Sequence, residues 1–269
     1  MPDAIPRRAH LITGGFPPGS MGGHDHDYAR LKLLGLLAEQ EVPASVANDF
    51  ADIGKWLPVS RLLMTYVAGP YPDAVQTGAI DDWVRAGGHW LALHGTSGGR
   101  AQRVEGVRMR RTIKTEHHAL LGSFFLTHPP IREFRIDVSP VASPLTRGLG
   151  SSFVVEDEPY FIELQDPATT QILLTAEYGP SATGATEGLY PTDTSLLADG
   201  RTRVLGYTRP VGAGGVTYFA LGHCHNPAIR AARAQADPAD TTPPTFRAPW
   251  ETEAFATLLR NAVAWGVGT

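Results

Sequence analysis

The sequence predicts an α/β fold, a mostly parallel sheet with helices on both faces, in one domain spanning residues 1–269. Three observations carry that expectation. Short apolar runs recur at His10–Thr13, Leu62–Val67 and Trp90–Leu93, as expected of strands covered on both faces. Between them, apolar residues fall three and four apart, the spacing of helices that cover a sheet. Glycine pairs at Gly14-Gly15 and Gly87-Gly88 punctuate the runs. A chain of 269 residues, 42% hydrophobic and 19% charged, is large enough to bury such a sheet as one unit.

In chain order, His10–Thr13 is a buried strand that opens into a glycine- and proline-rich loop. Asp25 or Asp27 then caps a helix over Tyr28–Glu41, with Leu31, Leu34, Leu37 and Ala38 on its apolar side. Ala44–Ala47 and Leu62–Val67 are the next strands. A helix through Asp81–Val84 ends at Gly87-Gly88, and Trp90–Leu93 follows as a strand that breaks off at His94-Gly95. Alternation at this pace implies parallel strands joined by right-handed crossovers. Glu116–Phe125 reads as a short helix ahead of the break at His128-Pro129-Pro130. Phe134, Ile136 and Val138 alternate with Arg135 and Asp137, the pattern of a strand with one wet face. Ile172–Ala176, Val204–Tyr207 and Val216–Leu221 are further strands. Residues 177–202 lack periodicity and read as a flap or a site rim, and Ala231–Pro249 as an extended connector. An amphipathic helix over Glu251–Trp265 closes the domain with Phe255, Leu258, Leu259, Val263 and Trp265.

Charge and cysteine content narrow the partners. A net charge of −4 argues against nucleic acid and against an anionic membrane surface. The local basic patch of Arg108, Arg110, Arg111 and Lys114 reads as a solvated loop face. One cysteine, Cys224, excludes an intrachain disulfide. The first ten residues contain no apolar leader core, so the expected location is cytoplasmic. Gly14 to Gly19 lacks the spacing of a dinucleotide fingerprint, so no NAD is expected. An apolar helix face, or Phe246 and Trp250 read as exposed aromatics, could support a homodimer.

The chemistry is expected beyond the carboxyl ends of the strands, where open α/β sheets bind ligands. Four of the ten histidines fall there: His24 after the first strand, His94 ending the fourth, His223 ending the last, and His128 ahead of two prolines. Either these histidines brace loops through hydrogen bonds, or their imidazoles converge on a divalent metal. All-nitrogen ligation favours zinc.

Several motifs in order resemble the ThuA-like, trehalose-utilisation family. They are Gly23-His24-Asp25-His26-Asp27, then Gly87-Gly88-His89-Trp90-Leu91-Ala92-Leu93-His94-Gly95, then Leu121-Gly122-Ser123-Phe124-Phe125-Leu126-Thr127-His128-Pro129. Pro144 to Leu149, Asp157-Glu158-Pro159-Tyr160, and Tyr207-Thr208-Arg209 with the run Val216 to His223 complete the set. Departures are Ser143, Pro159 and Gly215, where the family usually has histidine, leucine and arginine, and a longer Ser181–Arg201 stretch.

The resemblance implies a flavodoxin-like, class I glutamine-amidotransferase-like fold. Its fold relatives carry a catalytic cysteine on the turn after the fourth strand, where this chain has His94, so the thiolate mechanism is lost there. Cys224 lies between His223 and His225, and neighbouring strand residues face opposite sides, so it reads as buried rather than nucleophilic. The resemblance further implies a small-molecule carbohydrate, trehalose or a related 3-keto-glycoside. Such a sugar breaks down by proton abstraction next to the ketone, which needs a base and an electrophile. His94, Asp157 and Glu158 are the candidate catalytic groups, and Asp25, Tyr160 and Arg209 the candidate substrate contacts. His24, His94, His128 and His223 are the candidate metal ligands. Trp90 and Tyr218 read as core rather than as sugar platforms. Two alternatives stand beside this one: a non-catalytic sugar-binding or assembly subunit, and a metal-dependent hydrolase of amide or ester bonds.

Overall fold

Among the described residues, nine strands form one continuous sheet in the order β2-β1-β3-β4-β13-β12-β11-β8-β9. The computed structural model describes residues 6–14, 23–106, 110–178, 189–229 and 243–268. The strands are β1 (Ala9–Gly14), β2 (Ala44–Ala47), β3 (Leu62–Val67), β4 (His89–Leu93), β8 (Arg132–Val138), β9 (Ser152–Asp157), β11 (Gln171–Glu177), β12 (Thr202–Val211) and β13 (Gly214–Phe219). From β2 to β13 every pairing is parallel, and from β13 to β9 every pairing is antiparallel. β13 is therefore the pivot between two halves. All six residues of β3 are buried, as its unbroken apolar run requires. On β8, Phe134 and Ile136 face inward and Arg135 outward, as the alternation predicts.

The helices are α1 (His26–Glu39), α2 (Ile53–Trp56), α3 (Ala74–Arg85), α4 (Glu116–Leu121) and α5 (Glu253–Val267). Asp25 caps α1 by accepting the Tyr28 amide. The expected apolar side of this helix needs correction. Ala29, Leu33, Leu36 and Leu37 are buried, while Leu31 is 68% exposed. The helix carries leucines on two sides, so spacing alone does not say which side meets the sheet. α3 begins earlier than the sequence suggests, at a reciprocal cap between Asp73 and Gln76. It ends over Gly88, where a Cβ would come within 2.3 Å of the Trp83 ring. α5 starts at the Thr252 cap and buries Phe255, Leu258, Leu259 and Val263.

The expected helix over 116–125 stops short. Gly122 adopts φ +96° and ends α4, and the chain re-enters as strand β7 (Ser123–Thr127). β7 pairs with β10 (Phe161–Leu164) in a separate two-stranded ribbon. A second ribbon pairs β5 (Arg100–Arg103) with β6 (Arg110–Ile113). The basic patch, expected on a solvated loop face, is only partly so: Arg111 is exposed and bonds Gln102, but it lies on strand β6 rather than on a loop, while Lys114 pairs with Glu163. Arg108, residues 179–188 of the 177–202 rim and residues 231–242 of the 231–249 connector lie outside the described residues.

Phe246 and Trp250 are not an exposed patch. They are 4% and 3% exposed, and the Trp250 indole donates to the Gly222 carbonyl at 2.8 Å. Trp90 and Tyr218 are fully buried, as expected of core residues. Among the described residues, no helix is long and apolar enough to cross a membrane.

Candidate metal centre

Because β1, β3, β4 and β13 run in the same direction, the segments that leave them gather at one edge of the sheet. That edge receives His94 from β4, His24 from the segment before α1 and His223 from the segment after β13. One ring nitrogen from each lies within 4.8 Å of the others, and all three side chains are buried. His94 sits at φ +41° at the start of the turn after β4. The carbonyl of Val67 closes against Gly95, where a Cβ would lie 2.5 Å away, so only glycine fits beside it.

The hydrogen bonds around the cluster set where the lone pairs are. His94 Nδ1 lies 2.8 Å from the Ala220 carbonyl, which only accepts, so Nδ1 carries the hydrogen and Nε2 is bare. His24 Nε2 meets the Tyr160 hydroxyl at 3.3 Å. His94 Nε2, His24 Nδ1 and His223 Nδ1 are each buried without a hydrogen-bond partner. Leaving a buried polar atom unsatisfied costs on the order of 1–3 kcal/mol. Burial pushes His94 down to about 3. Burial, reinforced by His94 and His223, holds His24 well below the ordinary imidazole range. Both rings are therefore neutral at physiological pH, with lone pairs available to a cation. The donor set fits a divalent ion, and zinc best.

Glu158 lies beside the triad on the segment between β9 and β10. Its Oε2 is 3.2 Å from His223 Nδ1, and its Oε1 is 3.2 Å from His128 Nδ1. Glu158 is 3% exposed, whereas the His128 side chain is 29% exposed. His128 thus does not join the converging three. It stands just past the end of β7, in the separate ribbon, and reaches the cluster through Glu158.

Asp157 is engaged as a brace. Its carboxylate accepts the amides of Gly222 at 2.7 Å, His223 at 3.0 Å and Glu158 at 2.7 Å. Burial nevertheless pushes its carboxyl up to about 7 against those three bonds. Tyr160 covers the cluster, with its ring 3.9 Å from that of His94 and 4.2 Å from that of Phe125. Asp25 is 5% exposed, caps α1 and pairs with Arg247 at 3.3 Å. Arg209 is not brought to the site. Its guanidinium donates to the Ala119 and Leu120 carbonyls of α4 and lines a cavity of about 350 Å³ with Thr77, Asp81 and Glu116.

Cys224 is buried against the Tyr66 hydroxyl and the Asp25 carbonyl, both at 3.4 Å, and burial pushes its thiol up to about 12. No activated thiol forms there. Two participants escaped the sequence reading. Tyr66 anchors the Gly222 carbonyl at 2.8 Å, and His225 contacts His223 at 3.0 Å. The His-x-His spacing was the available signal for the second.

These features define an open α/β protein with a histidine centre at the carboxyl edge of its parallel strands. A ThuA-like protein from Parabacteroides merdae has the same fold, with a TM-score of 0.63 and 16% identity over 98% of this chain and 90% of that one. A ThuA-like protein from Bacteroides uniformis follows at TM-score 0.55 and 15% identity, covering 81% and 83%. The cold-adapted beta-galactosidase of Rahnella sp. R3 is similar at TM-score 0.54 and 12% identity, over 88% of this chain but only 32% of that enzyme. No curated protein matches significantly. The chain belongs to the ThuA family, described as trehalose utilisation, whose model matches residues 22–235.

Proposed function

We propose that this protein is a metal-assisted acid–base catalyst of sugar metabolism acting on trehalose-type or 3-keto-glycoside substrates. Family membership supports the sugar context. The observation that carries the chemistry is the convergence of three buried imidazoles, each with a nitrogen that makes no hydrogen bond, beside Glu158. His24, His94 and His223 would hold a divalent ion, zinc favoured, and such an ion supplies Lewis-acid polarisation of a sugar carbonyl.

The protein's own groups do the rest. Glu158 takes the proton from the carbon next to the ketone, a carbon–carbon double bond forms beside the carbonyl, and the neighbouring glycosidic oxygen departs with a proton from solvent. His128 Nδ1, 3.1 Å from the Pro129 carbonyl and 3.2 Å from Glu158 Oε1, carries a hydrogen and steadies the Glu158 carboxylate. Asp157 holds the Gly222–His223 turn and so positions the cluster. Tyr160, over His94 and beside His24, excludes water and offers a hydroxyl to the sugar.

We assign the parallel half, in the order β2-β1-β3-β4-β13, to the flavodoxin-like and class I glutamine-amidotransferase-like arrangement, within one domain and in the cytoplasm. The test is to incubate metal-loaded protein with 3-keto-glucosides in deuterated water. Deuterium should enter next to the carbonyl and the aglycone should be released. Glu158→Gln should lower both by 10²–10⁴-fold, the range for loss of a general base. No exchange by the metal-loaded wild type, with sugar binding intact, would favour the non-catalytic sugar-binding subunit.

A further inference from the structure

His225 follows His223 by two residues, and the chemistry proposed above does not use it. In extended backbone such residues face the same side. Cys224 lies between them with its thiol at the Tyr66 hydroxyl. Both imidazoles are fully buried. His225 is fixed from its backbone outward, since its amide and carbonyl each bond Phe246 at 3.0 Å. Its Nε2 lies 2.8 Å from the Pro243 carbonyl. A carbonyl only accepts, so this nitrogen carries a hydrogen. With the ring's one hydrogen at Nε2, Nδ1 offers a lone pair, and it lies 3.0 Å from His223 Nε2. The hydrogen in that contact therefore belongs to His223 Nε2.

This direction matters because of what stands on the other side of His223. Glu158 Oε2 is 3.2 Å from Nδ1. A carboxylate at that distance attracts a hydrogen onto Nδ1, and a ring whose single hydrogen sits there has no lone pair to give at that atom. His225 opposes that pull from the far side. The same device holds His94, whose Nδ1–H donates to the Ala220 carbonyl.

We propose that His225 is a positioning residue that keeps a hydrogen on His223 Nε2 through the Pro243 carbonyl and so reserves His223 Nδ1 for an ion shared with His24 and His94. The inference rests on the metal reading for its consequence but not for its geometry. Partners that orient a ligating imidazole are worth about 10- to 100-fold in metal affinity.

The test uses full-length protein labelled with ¹⁵N at histidine, as wild type, His225→Phe and His225→Asn, with His223→Gln for assignment. In metal-free protein, long-range ¹⁵N–¹H spectra report which nitrogen of His223 is protonated. Wild type should show a protonated Nε2. His225→Asn should as well, because its amide oxygen can occupy the place of the His225 Nδ1 acceptor. In His225→Phe the Nδ1–H form should take over. In parallel, zinc affinity measured by chelator competition should fall about 10- to 100-fold in His225→Phe and recover in His225→Asn.

A bare Nε2 in the wild type overturns the inference. So does an unchanged tautomer with unchanged zinc affinity in His225→Phe. Should that variant fail to fold, the wild type and His225→Asn still decide, since Nδ1–H in either contradicts the account. A wild type that takes no zinc but shows the protonated Nε2 sinks the metal reading and leaves the positioning role standing.

Discussion

Two groups of buried histidines sit on neighbouring parts of this molecule. At the strand ends, His24, His94 and His223 meet with ring centroids 4.9, 5.1 and 5.6 Å apart. Near the turn after β4, His117 and His118 lie 3.9 Å apart and are just as buried. Their bonds differ. His118 is satisfied at both nitrogens: Nδ1 accepts the Thr115 amide at 2.9 Å, and Nε2 donates to the Gly98 carbonyl at 3.0 Å. His117 keeps one unpartnered nitrogen and stacks on Tyr71 at 5.2 Å. Burial and proximity are common to the two groups. What marks the triad is that three imidazoles converge, each with a nitrogen that makes no hydrogen bond, and that a carboxylate stands beside them. A single orphan is a local cost, whereas a converging set is a binding offer.

The largest effect should separate the groups outright. His94→Ala and His223→Ala should each abolish metal that is near-stoichiometric in the wild type. His118→Ala should leave metal content unchanged, as read by elemental analysis of protein purified without chelator. Metal loss in His118→Ala as complete as in His94→Ala would break the comparison.

The next effect belongs to the pair. His118→Ala removes both the cap on Thr115 and the bond to Gly98, so urea unfolding should report a loss of about 1–3 kcal/mol. Acid should sharpen the contrast further. Burial lowers His117 from 6.5 to about 3. Between those values the unfolded chain binds a proton that the folded chain does not, so this contribution is complete above 6.5 and is lost as pH falls. Metal-free wild type should lose about 1.4 kcal/mol per pH unit more than His117→Phe between roughly pH 6 and pH 4. Equal slopes would mean that His117 is protonated in the folded protein. Smallest of all should be Arg209→Met. It should disturb the α4 carbonyls without changing metal content, and a lost metal there would show that Arg209 reaches the centre after all.

The sequence was most legible where one physical rule acted alone. Leu62–Val67 is apolar throughout because it is covered on both faces, and His94 was marked by the strand that delivers it. β5, with the sequence Arg-Ala-Gln-Arg, has no apolar signal because it is exposed and held by its hairpin partner. β10 is four residues long and follows Pro159, too short for periodicity to show. Arg209 misled for a topological reason. It lies near the carboxyl end of β12, but β12 is antiparallel to β13, so that end is at the opposite edge from His94. His128 was found as a strand-end histidine, yet its link through Glu158 depends on a ribbon, β7 with β10, that local pattern does not reveal.

The most direct test of the central claim is zinc-edge X-ray absorption on wild-type protein, as purified and after zinc addition. The account predicts near-stoichiometric metal, with multiple imidazole scattering from nitrogens at about 2.0–2.1 Å. A well-folded protein that stays metal-free after zinc or manganese is added, or bound zinc without imidazole scattering, would contradict it.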